Sequence, residues 1–554
     1  MRHALMRLFR LLNVNVRWFV MKPKPEVFDI TKRRMHNVLQ GVAGKDVIFT
    51  DEDQTIYEDW CRDNAERYFA DGPFVKTDVF VMDDPQVVAM LPIIKKVNPT
   101  AKIIFRCHIE VRNDIIKADP ESQTAKVWNY LWNFIKDSDL FVFHPVKTFV
   151  PDQVPLNRLV YMPAVTDRLD GLNKDLRTED LFYYHALFNR IAFDQSRKKV
   201  AFYERPYIIQ IARFDPSKGI PDLVRAYKIL RDRMAAEQTE QSKVPQLVLA
   251  GHGSVDDPDG TVVFEELREL LSRDEFSGIA NDIIAARLFP SDQLLNALVQ
   301  GAKLATQLSY REGFEIKVTE CLIKGKPIIC YGAGGIPHQV IQYRNGILVP
   351  VDGQGRAGQP ALNPMQVPLG RVDIVADWMY RLLMDEELCE LYATAAAGST
   401  HSYETFFTVA NAVNWLYAAH GVADGTLTRK LDALATNDNL SHRVSDDTAS
   451  EEARAEIVQA AGPETSEEFF ARRKKLSGRA SWVQELWYED YFPGSQWKDL
   501  DFGKIFEEAD ILRRAIHEHP NYMSEQSGMP TNVLQFENER TESEVDIADS
   551  DEED

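Results

Sequence analysis

The sequence has little cysteine, and its cysteines follow no pattern of a structural site. Only five occur among 554 residues, and none stands at the short spacing that zinc sites use. An odd, scattered set also argues against a disulfide framework. The five are Cys61, Cys107, Cys321, Cys330 and Cys389. We therefore expect no metal site, and a reducing compartment, the cytoplasm.

Long apolar runs and extended positive charge are missing as well. No uninterrupted apolar stretch reaches the roughly 18 residues that a membrane span requires. The net charge is −21, and basic residues occur only in short clusters, whereas nucleic-acid binding needs extended positive charge. We therefore expect neither a membrane nor a nucleic acid as a partner.

The negative charge that is present lies mainly at the C-terminal end. Thirty acidic and 14 basic residues follow Asp424, so this section carries −16 of the total charge. Residues 421–554 are predicted to be an acidic, largely disordered tail. Within it, an aromatic-rich segment at 480–520 is expected to dock on the body or on a partner. The remaining body is nearly neutral and long enough for two domains.

The first 21 residues are basic and contain no acid. One interpretation is an amphipathic mitochondrial presequence. The other is an ordinary helix (ALMRLFRLL) that leads into a strand (VRWFVM). The helix and strand are the favoured interpretation because the segment is not rich in serine.

Short apolar runs alternate with longer helical patterns in two series, which predicts an α/β protein with buried parallel sheets. The first series of expected strands is Asp46–Thr50, Thr77–Met82, Lys102–Arg106, Leu140–His144 and Leu159–Met162. The second is Tyr207–Ala212, Gln246–Ala250, Leu304–Leu308, Pro327–Tyr331 and Ile347–Val349. We predict two Rossmann-like domains facing across a cleft, at 1–200 and 201–420, the second with closing helices.

The start of the first domain is unusual. A doubly wound domain normally opens with a strand and a glycine-containing turn, but this chain opens within a helix. The first domain is therefore expected to lack its first strand, and a misassigned start is one explanation.

The stretch Ser309–Pro337 has the richest chemistry. Glu312 precedes a helix expected to begin near Glu315, and Glu320 lies one to two turns inside it. Free amides at the start of that helix favour an anion such as phosphate. The alternative is a capping carboxylate with a solvated glutamate. The expected anion-binding positions are Gly313, Phe314, Glu315 and Ile316.

Two further loops follow strands of the second series. Arg213 and Lys218 stand five residues apart at a strand end, where a guanidinium fork and an ammonium can clamp a phosphate. Gly251 and Gly253 form a turn that lets the backbone approach a ligand closely. A surface loop and an ordinary turn are the alternatives. The pair of cations predicts a locally cationic site.

The first domain offers weaker candidates. FRCHIE places Arg106 and His108 at a strand end, and DDPQ places Asp84 and Gln86 at another. These side chains are candidates for the acceptor side of the cleft, although Asp84 also suits a helix N-cap. Asp51 and Asp53 are interpreted as a solvated turn rather than a metal site.

Together these stretches resemble retaining glycosyltransferases of the GT-B type. TKRRMHNVLQ, DDPQ, FRCHIE and YMPAVTD resemble trehalose phosphorylases and trehalose synthases, and EGFEIKV and GGIPHQV are most similar to the fungal trehalose phosphorylase type. The resemblance covers about the first 419 residues.

The resemblance implies α-retaining glucosyl transfer that needs no metal or other cofactor. It implies that Arg213 and Lys218 hold phosphate and that Glu312 contacts the donor glucose. It also implies that His108 stands near the anomeric carbon, and that Glu320 binds ribose in a nucleotide-using relative.

The first hypothesis is trehalose phosphorolysis or synthesis through α-glucose 1-phosphate. The implied small-molecule partners are glucose, trehalose, phosphate and glucose 1-phosphate, and a homodimer is compatible with the sequence. An alternative enzyme uses UDP- or ADP-glucose with glucose. A second class of function is a catalytically impaired sugar-binding or regulatory paralogue, because the glycine-rich loop after the first strand is missing from the chain as given.

Overall fold

A computed structural model describes residues 2–429, except 12–13, 45, 70–71, 145, 163, 165, 167–171, 253–258, 341, 344 and 352–363. The expected acidic tail lies outside the described residues from residue 430 onward, and so does its aromatic-rich segment. No helix in the described part of the chain is both long and apolar enough to cross a membrane.

The first domain contains a four-stranded parallel sheet in the order β1-β2-β3-β4. Its strands are β1 (Val79–Asp83), β2 (Lys102–Arg106), β3 (Leu140–Phe143) and β4 (Leu159–Tyr161). The pairs Asp83 with Arg106 and Arg106 with Val142 fix the register. The carboxyl ends of β1 and β2 therefore lie side by side, and the segments that follow them meet at one edge of the sheet.

Helices and one π-helix surround this sheet. They are α1 (Arg2–Leu11), α2 (Pro25–Asp29), the π-helix Ile30–His36, α3 (Asn37–Leu39), α4 (Asp51–Phe69), α5 (Leu91–Val97), α6 (Asn113–Ala118) and α7 (Gln123–Ile135). The prediction of a helix near the N-terminus is confirmed by α1. The strand expected directly after it is wrong, because residues 14–24 are irregular.

The strand expected at Asp46–Thr50 is also wrong. The chain there leads into α4, and Thr50 and Asp53 cap that helix reciprocally. The Thr50 amide donates to Asp53 Oδ2 at 2.8 Å, and the Asp53 amide donates to Thr50 Oγ1 at 3.2 Å. This is the geometry of a capping box. The Asp53 side chain is consequently buried and also pairs with Arg34, so it is not part of a solvated turn.

The second domain contains a six-stranded parallel sheet in the order β10-β9-β8-β5-β6-β7. Its strands are β5 (Tyr207–Ile211), β6 (Gln246–His252), β7 (Ile283–Leu288), β8 (Leu304–Gln307), β9 (Ile328–Tyr331) and β10 (Ile347–Val349). The strand order reverses between β5 and β8, which are direct neighbours. Ligands of open α/β sheets bind at such a reversal, outside the carboxyl ends of the strands.

The helices of the second half complete the fold. They are α8 (Thr178–Ser196), α9 (Ile220–Ala236), α10 (Asp259–Leu271), α11 (Asp292–Gly301), α12 (Ile316–Ile323), α13 (Val372–Met384) and α14 (Glu386–Ala423). The end of α14 returns to the first sheet, where Trp415 packs in one cluster with Leu5, Ile104 and Val142. The domain limits at residues 200 and 420 stay a prediction.

Candidate active site

A cavity of about 350 Å³ lies between the carboxyl ends of the two sheets. The first domain lines it with His36, Asp83, Asp84, His108 and His144. The second domain lines it with Arg213, Asp215, Lys218, Glu312, Gly313 and Phe314. All four residues expected to act in catalysis, His108, Arg213, Lys218 and Glu312, are thus brought to one space.

The loop after β5 carries Arg213, Asp215 and Lys218. Asp215 caps the short 3-10 turn Pro216–Lys218 by accepting from the Ser217 amide at 2.9 Å. Arg213 Nη2 lies 3.7 Å from Asp215 Oδ2, and the Arg213 side chain is 34% exposed. The guanidinium is therefore placed at the cavity with much of its surface still accessible.

Lys218 is bound to two carboxylates. Its Nζ contacts Glu312 Oε2, and it lies 2.6 Å from Glu315 Oε2. Burial disfavours the ammonium, but these two carboxylates outweigh it and raise the pKa of Lys218. The prediction of a locally cationic site is wrong, because each cation contributed by the β5 loop has an acidic neighbour.

The two glutamates that share Lys218 differ in their protonation. Burial raises the pKa of Glu312, and the neighbouring Glu315 adds to this effect. Burial also acts against the charged form of Glu315, but Lys218 outweighs it and lowers the pKa of Glu315. A single ammonium thus favours one ionised carboxylate and leaves the other close to taking up a proton.

The start of α12 differs from the expectation of free amides. Glu315 is the N-cap of this helix, and its Oε1 accepts from the Lys317 amide at 3.2 Å. The Gly313 amide donates to Glu312 Oε1 at 3.2 Å. Glu315 therefore fills the position that a bound anion takes at a helix N-terminus. Ile316 is the first residue of the helix, and Phe314 stacks on His144 at 6.0 Å.

Glu320 lies apart from the cavity lining. Its side chain is 7% exposed, and Oε2 accepts from Lys317 Nζ at 2.5 Å. Burial raises the pKa of Glu320, and Lys317 opposes that shift. The carboxylate is engaged within its own helix.

The glycine turn after β6 is described only in part. Gly251 packs against the chain just before Arg213, and a Cβ added there would lie 1.9 Å from the Ala212 carbonyl oxygen. Gly251 thus permits a close approach of two strand ends rather than lining the described cavity. Gly253 lies outside the described residues.

In the first domain, His108 is oriented by both aspartates of the DDPQ stretch. Its Nε2 lies 2.6 Å from Asp83 Oδ1, and its amide donates to Asp84 Oδ1 at 2.9 Å. Asp84 has a positive φ of 78°, a conformation that costs energy for a residue with a Cβ. The expected N-cap hydrogen bond from the Asp84 side chain is absent from the described turn, because the carboxylate bonds the His108 amide instead.

The other two acceptor-side candidates do not line the cavity. Arg106 is buried beneath it, where Nη1 donates to the Met162 carbonyl at 2.7 Å and Nη2 lies 3.4 Å from His144 Nδ1. Arg106 therefore supports a lining residue. Gln86 lies in the 3-10 helix Pro85–Met90 behind Asp84.

Contacts across the cavity join the two domains. Lys32 Nζ, from the π-helix, lies 2.8 Å from Asp215 Oδ2, and both side chains are buried. Arg311 Nη1 donates to Glu110 Oε1 at 2.9 Å. Gly313 approaches the first domain so closely that an added Cβ would lie 2.2 Å from the His108 carbonyl oxygen.

Sequence reasoning missed Lys32, His36, Asp215, Arg311 and His144 as residues of this site. Asp215 carried a usable signal, because it follows a strand within the same loop as Arg213. Lys32 and His36 follow no strand, and only the three-dimensional structure brings His36 to the cavity and Lys32 to Asp215.

Two family models match the chain. Residues 1–151 match the model described as "Trehalose synthase, N-terminal domain", and residues 192–356 match "Glycosyl transferases group 1". The two matches fall on the two domains that contribute to the cavity.

Among curated proteins, the chain is similar to the trehalose phosphorylase of Pleurotus pulmonarius, with 41% identity over 424 residues. That alignment covers 76% of this chain and 54% of the relative, so the chain spans about half the relative's length. The trehalose synthase of Pyrococcus horikoshii is 29% identical over 63% of this chain and 73% of its own.

Among solved structures, the trehalose-6-phosphate synthase OtsA has the same fold. It aligns with a TM-score of 0.52 at 12% identity and covers 72% of this chain and 83% of its own. The two-domain α/β architecture is that of the GT-B glycosyltransferases. The chain belongs to the glycosyltransferases of the trehalose phosphorylase and trehalose synthase type.

Proposed function

We propose that the chain transfers a glucosyl group between trehalose and phosphate with retention of the α configuration. The compound formed with phosphate is α-glucose 1-phosphate. The observation that carries this proposal is that one cavity is lined by Arg213 and Lys218 from the second domain and by His108 from the first. The 41% identity to a trehalose phosphorylase supports it. Because the chain spans about half of that relative, the full activity is a proposal.

Each side of the cavity has a separate task in this reaction. Arg213, the more exposed of the two second-domain cations, receives the phosphate in a bidentate contact. Lys218 and Glu312 position the donor sugar beside it. His108, fixed by Asp83, lies on the opposite side, where the glucosyl ring is bound. These groups stabilise the charge that develops on phosphate, which is electrostatic preorganisation.

The proposed reaction needs no nucleophile from the enzyme. An oxygen of monohydrogen phosphate forms the new bond to C1 of one glucosyl unit while the C1–O bond to the other glucose breaks. The phosphate proton passes to the departing glucose oxygen. Both events occur on one face of the ring, so the α configuration is retained.

The arrangement around α12 favours a single phosphate over a nucleoside diphosphate. Glu315 already caps the helix and binds Lys218, so its carboxylate would repel a second phosphate there. Glu320 is bound to Lys317 and is not presented to a ribose. Both contacts support glucose 1-phosphate as the donor rather than UDP- or ADP-glucose.

Incubation of the full chain with trehalose and inorganic phosphate tests the proposal. We expect glucose and α-glucose 1-phosphate to form in equal amounts, and NMR measures both products. In parallel, calorimetry compares glucose 1-phosphate with UDP- and ADP-glucose, and we expect at least about tenfold tighter binding of glucose 1-phosphate. Turnover only with a nucleotide donor would favour the alternative enzyme, whereas binding without any turnover would favour the impaired paralogue.

We also infer a reducing, cytoplasmic location. All five cysteines are unpaired and buried. Burial raises the pKa of the Cys61 thiol to about 12, which keeps it protonated and unreactive. Localisation of the tagged full chain by microscopy checks this inference, and a secreted protein would contradict it.

A further inference from the structure

The π-helix Ile30–His36 extends from the first domain to the phosphate side of the cavity. Lys32 forms the buried ion pair with Asp215, and His36, four residues later, lines the cavity itself. A π-helix within a helical segment often marks a functional position. His36 therefore requires an explanation beyond packing.

The surroundings of His36 leave one ring nitrogen for a ligand. Its Nδ1 lies 3.4 Å from Lys32 Nζ, an ammonium that Asp215 fixes at 2.8 Å. The ammonium can only donate to Nδ1, whereas Asn37 Oδ1, 3.3 Å from the same nitrogen, can only accept from it. Both contacts are made by Nδ1, so Nε2 is the nitrogen left for a ligand.

His36 also stays neutral. Burial lowers the pKa of His36 to about 3, and the Lys32 charge acts in the same direction. Asp215 opposes this shift and Arg213 adds to it. His36 and Arg213 both line the cavity. A neutral imidazole nitrogen can pair with monohydrogen phosphate, whose oxygens accept and whose hydroxyl donates, and a guanidinium donates to the same group.

We propose that His36 forms a hydrogen bond through Nε2 with the phosphate group that Arg213 binds. The phosphate subsite then has one wall in each domain, and His36 is a positioning and specificity residue for phosphate. This inference rests on the proposed function. It implies that phosphate holds the two domains together in the same way as the neighbouring Lys32–Asp215 pair.

Calorimetry with inorganic phosphate and with trehalose tests the proposal on the full chain. In His36→Ala the phosphate Kd should rise about tenfold, the effect of losing a hydrogen bond to a charged group. In His36→Gln, whose amide keeps a donor, it should rise less than about threefold. The Kd for trehalose should stay within about twofold in both variants. His420→Gln is the matched control, since His420 is 83% exposed at the end of α14.

The outcomes separate this inference from the function on which it rests. Unchanged phosphate affinity in His36→Ala, with weakened affinity in Arg213→Ala, would overturn the role of His36 and leave the proposed function intact. Equal losses for phosphate and trehalose would show a structural role and also overturn it. No phosphate binding by the folded wild-type chain would overturn both.

Discussion

On the second-domain face of the cavity, the charged residues follow strands β5 and β8, whereas on the first-domain face they come from a π-helix and from turns. Arg213 and Glu312 stand where the strand order reverses. Lys32 and His36 stand on a helical segment that extends across the cleft. The second-domain face, called the second face below, thus follows from the topology of the sheet. The first-domain face, called the first face, depends on contacts with the second face.

The largest expected effect comes from removing the cation that organises the second face. Lys218→Met removes the cation that two buried carboxylates share, so we expect a loss of about 3–5 kcal/mol in unfolding free energy. Transfer activity should fall at least about 10³-fold, because charge stabilisation is lost. Chemical denaturation and turnover assays measure the two effects.

Lys228→Met is the matched control. Lys228 pairs with the exposed Asp232 on α9, and such surface pairs contribute about 0–1 kcal/mol. If both variants lost the same small amount of stability, Lys218 would not organise the second face.

The next effect tests whether the first face depends on the second. Lys32→Met and Asp215→Asn each break the buried pair between the domains and should cost about 2–3 kcal/mol. In the double variant the two losses should be less than additive by at least about 1 kcal/mol, since the residues are in contact. Denaturation of all four proteins gives the coupling, and strictly additive losses would show that the faces are independent.

A smaller effect tests the close approach of the two faces. Gly313→Ala places a Cβ 2.2 Å from the His108 carbonyl oxygen, so the domains must separate slightly. We expect about 1–3 kcal/mol of destabilisation and a loss of activity that exceeds the loss of stability. Gly278→Ala is the control, because a Cβ there meets no atom within 4 Å. Equal activities of the two variants, measured at one temperature, would contradict the closed arrangement.

The smallest effect is the dependence of stability on pH. With the pKa of His36 lowered to about 3, the unfolded chain takes up a proton near the ordinary value of 6.5 before the folded chain does. Wild-type stability should therefore fall as pH drops from 6.5 toward 3. His36→Gln removes this contribution, which is about 1 kcal/mol near pH 6. Thermal unfolding across pH checks it, and parallel curves for both proteins would count against a neutral His36.

The difference between the two faces also explains which site residues could be predicted from the sequence. The second-domain loops were predictable because a buried strand, a polar loop and a helix follow one another locally, as at Arg213 and Glu312. Glu315 escaped prediction as the cap of α12, since Ser, Thr, Asp and Asn are the preferred N-caps.

The first face could not be predicted in the same way. The role of Lys32 depends on Asp215, 183 residues later, and no local pattern reports such a contact. The prediction of a strand at Asp46–Thr50 was wrong because of a local contact. The Thr50–Asp53 capping box there outweighs a short apolar run. Long-range contacts and caps thus account for the missed parts of the site and fold.

A crystal structure of the full chain with α-glucose 1-phosphate tests the account most directly. The account predicts phosphate oxygens within hydrogen-bond distance of Arg213 and His36, with the glucosyl ring between Glu312 and His108. Phosphate bound elsewhere, or at the start of α12 with Glu315 displaced from Lys218, would contradict it.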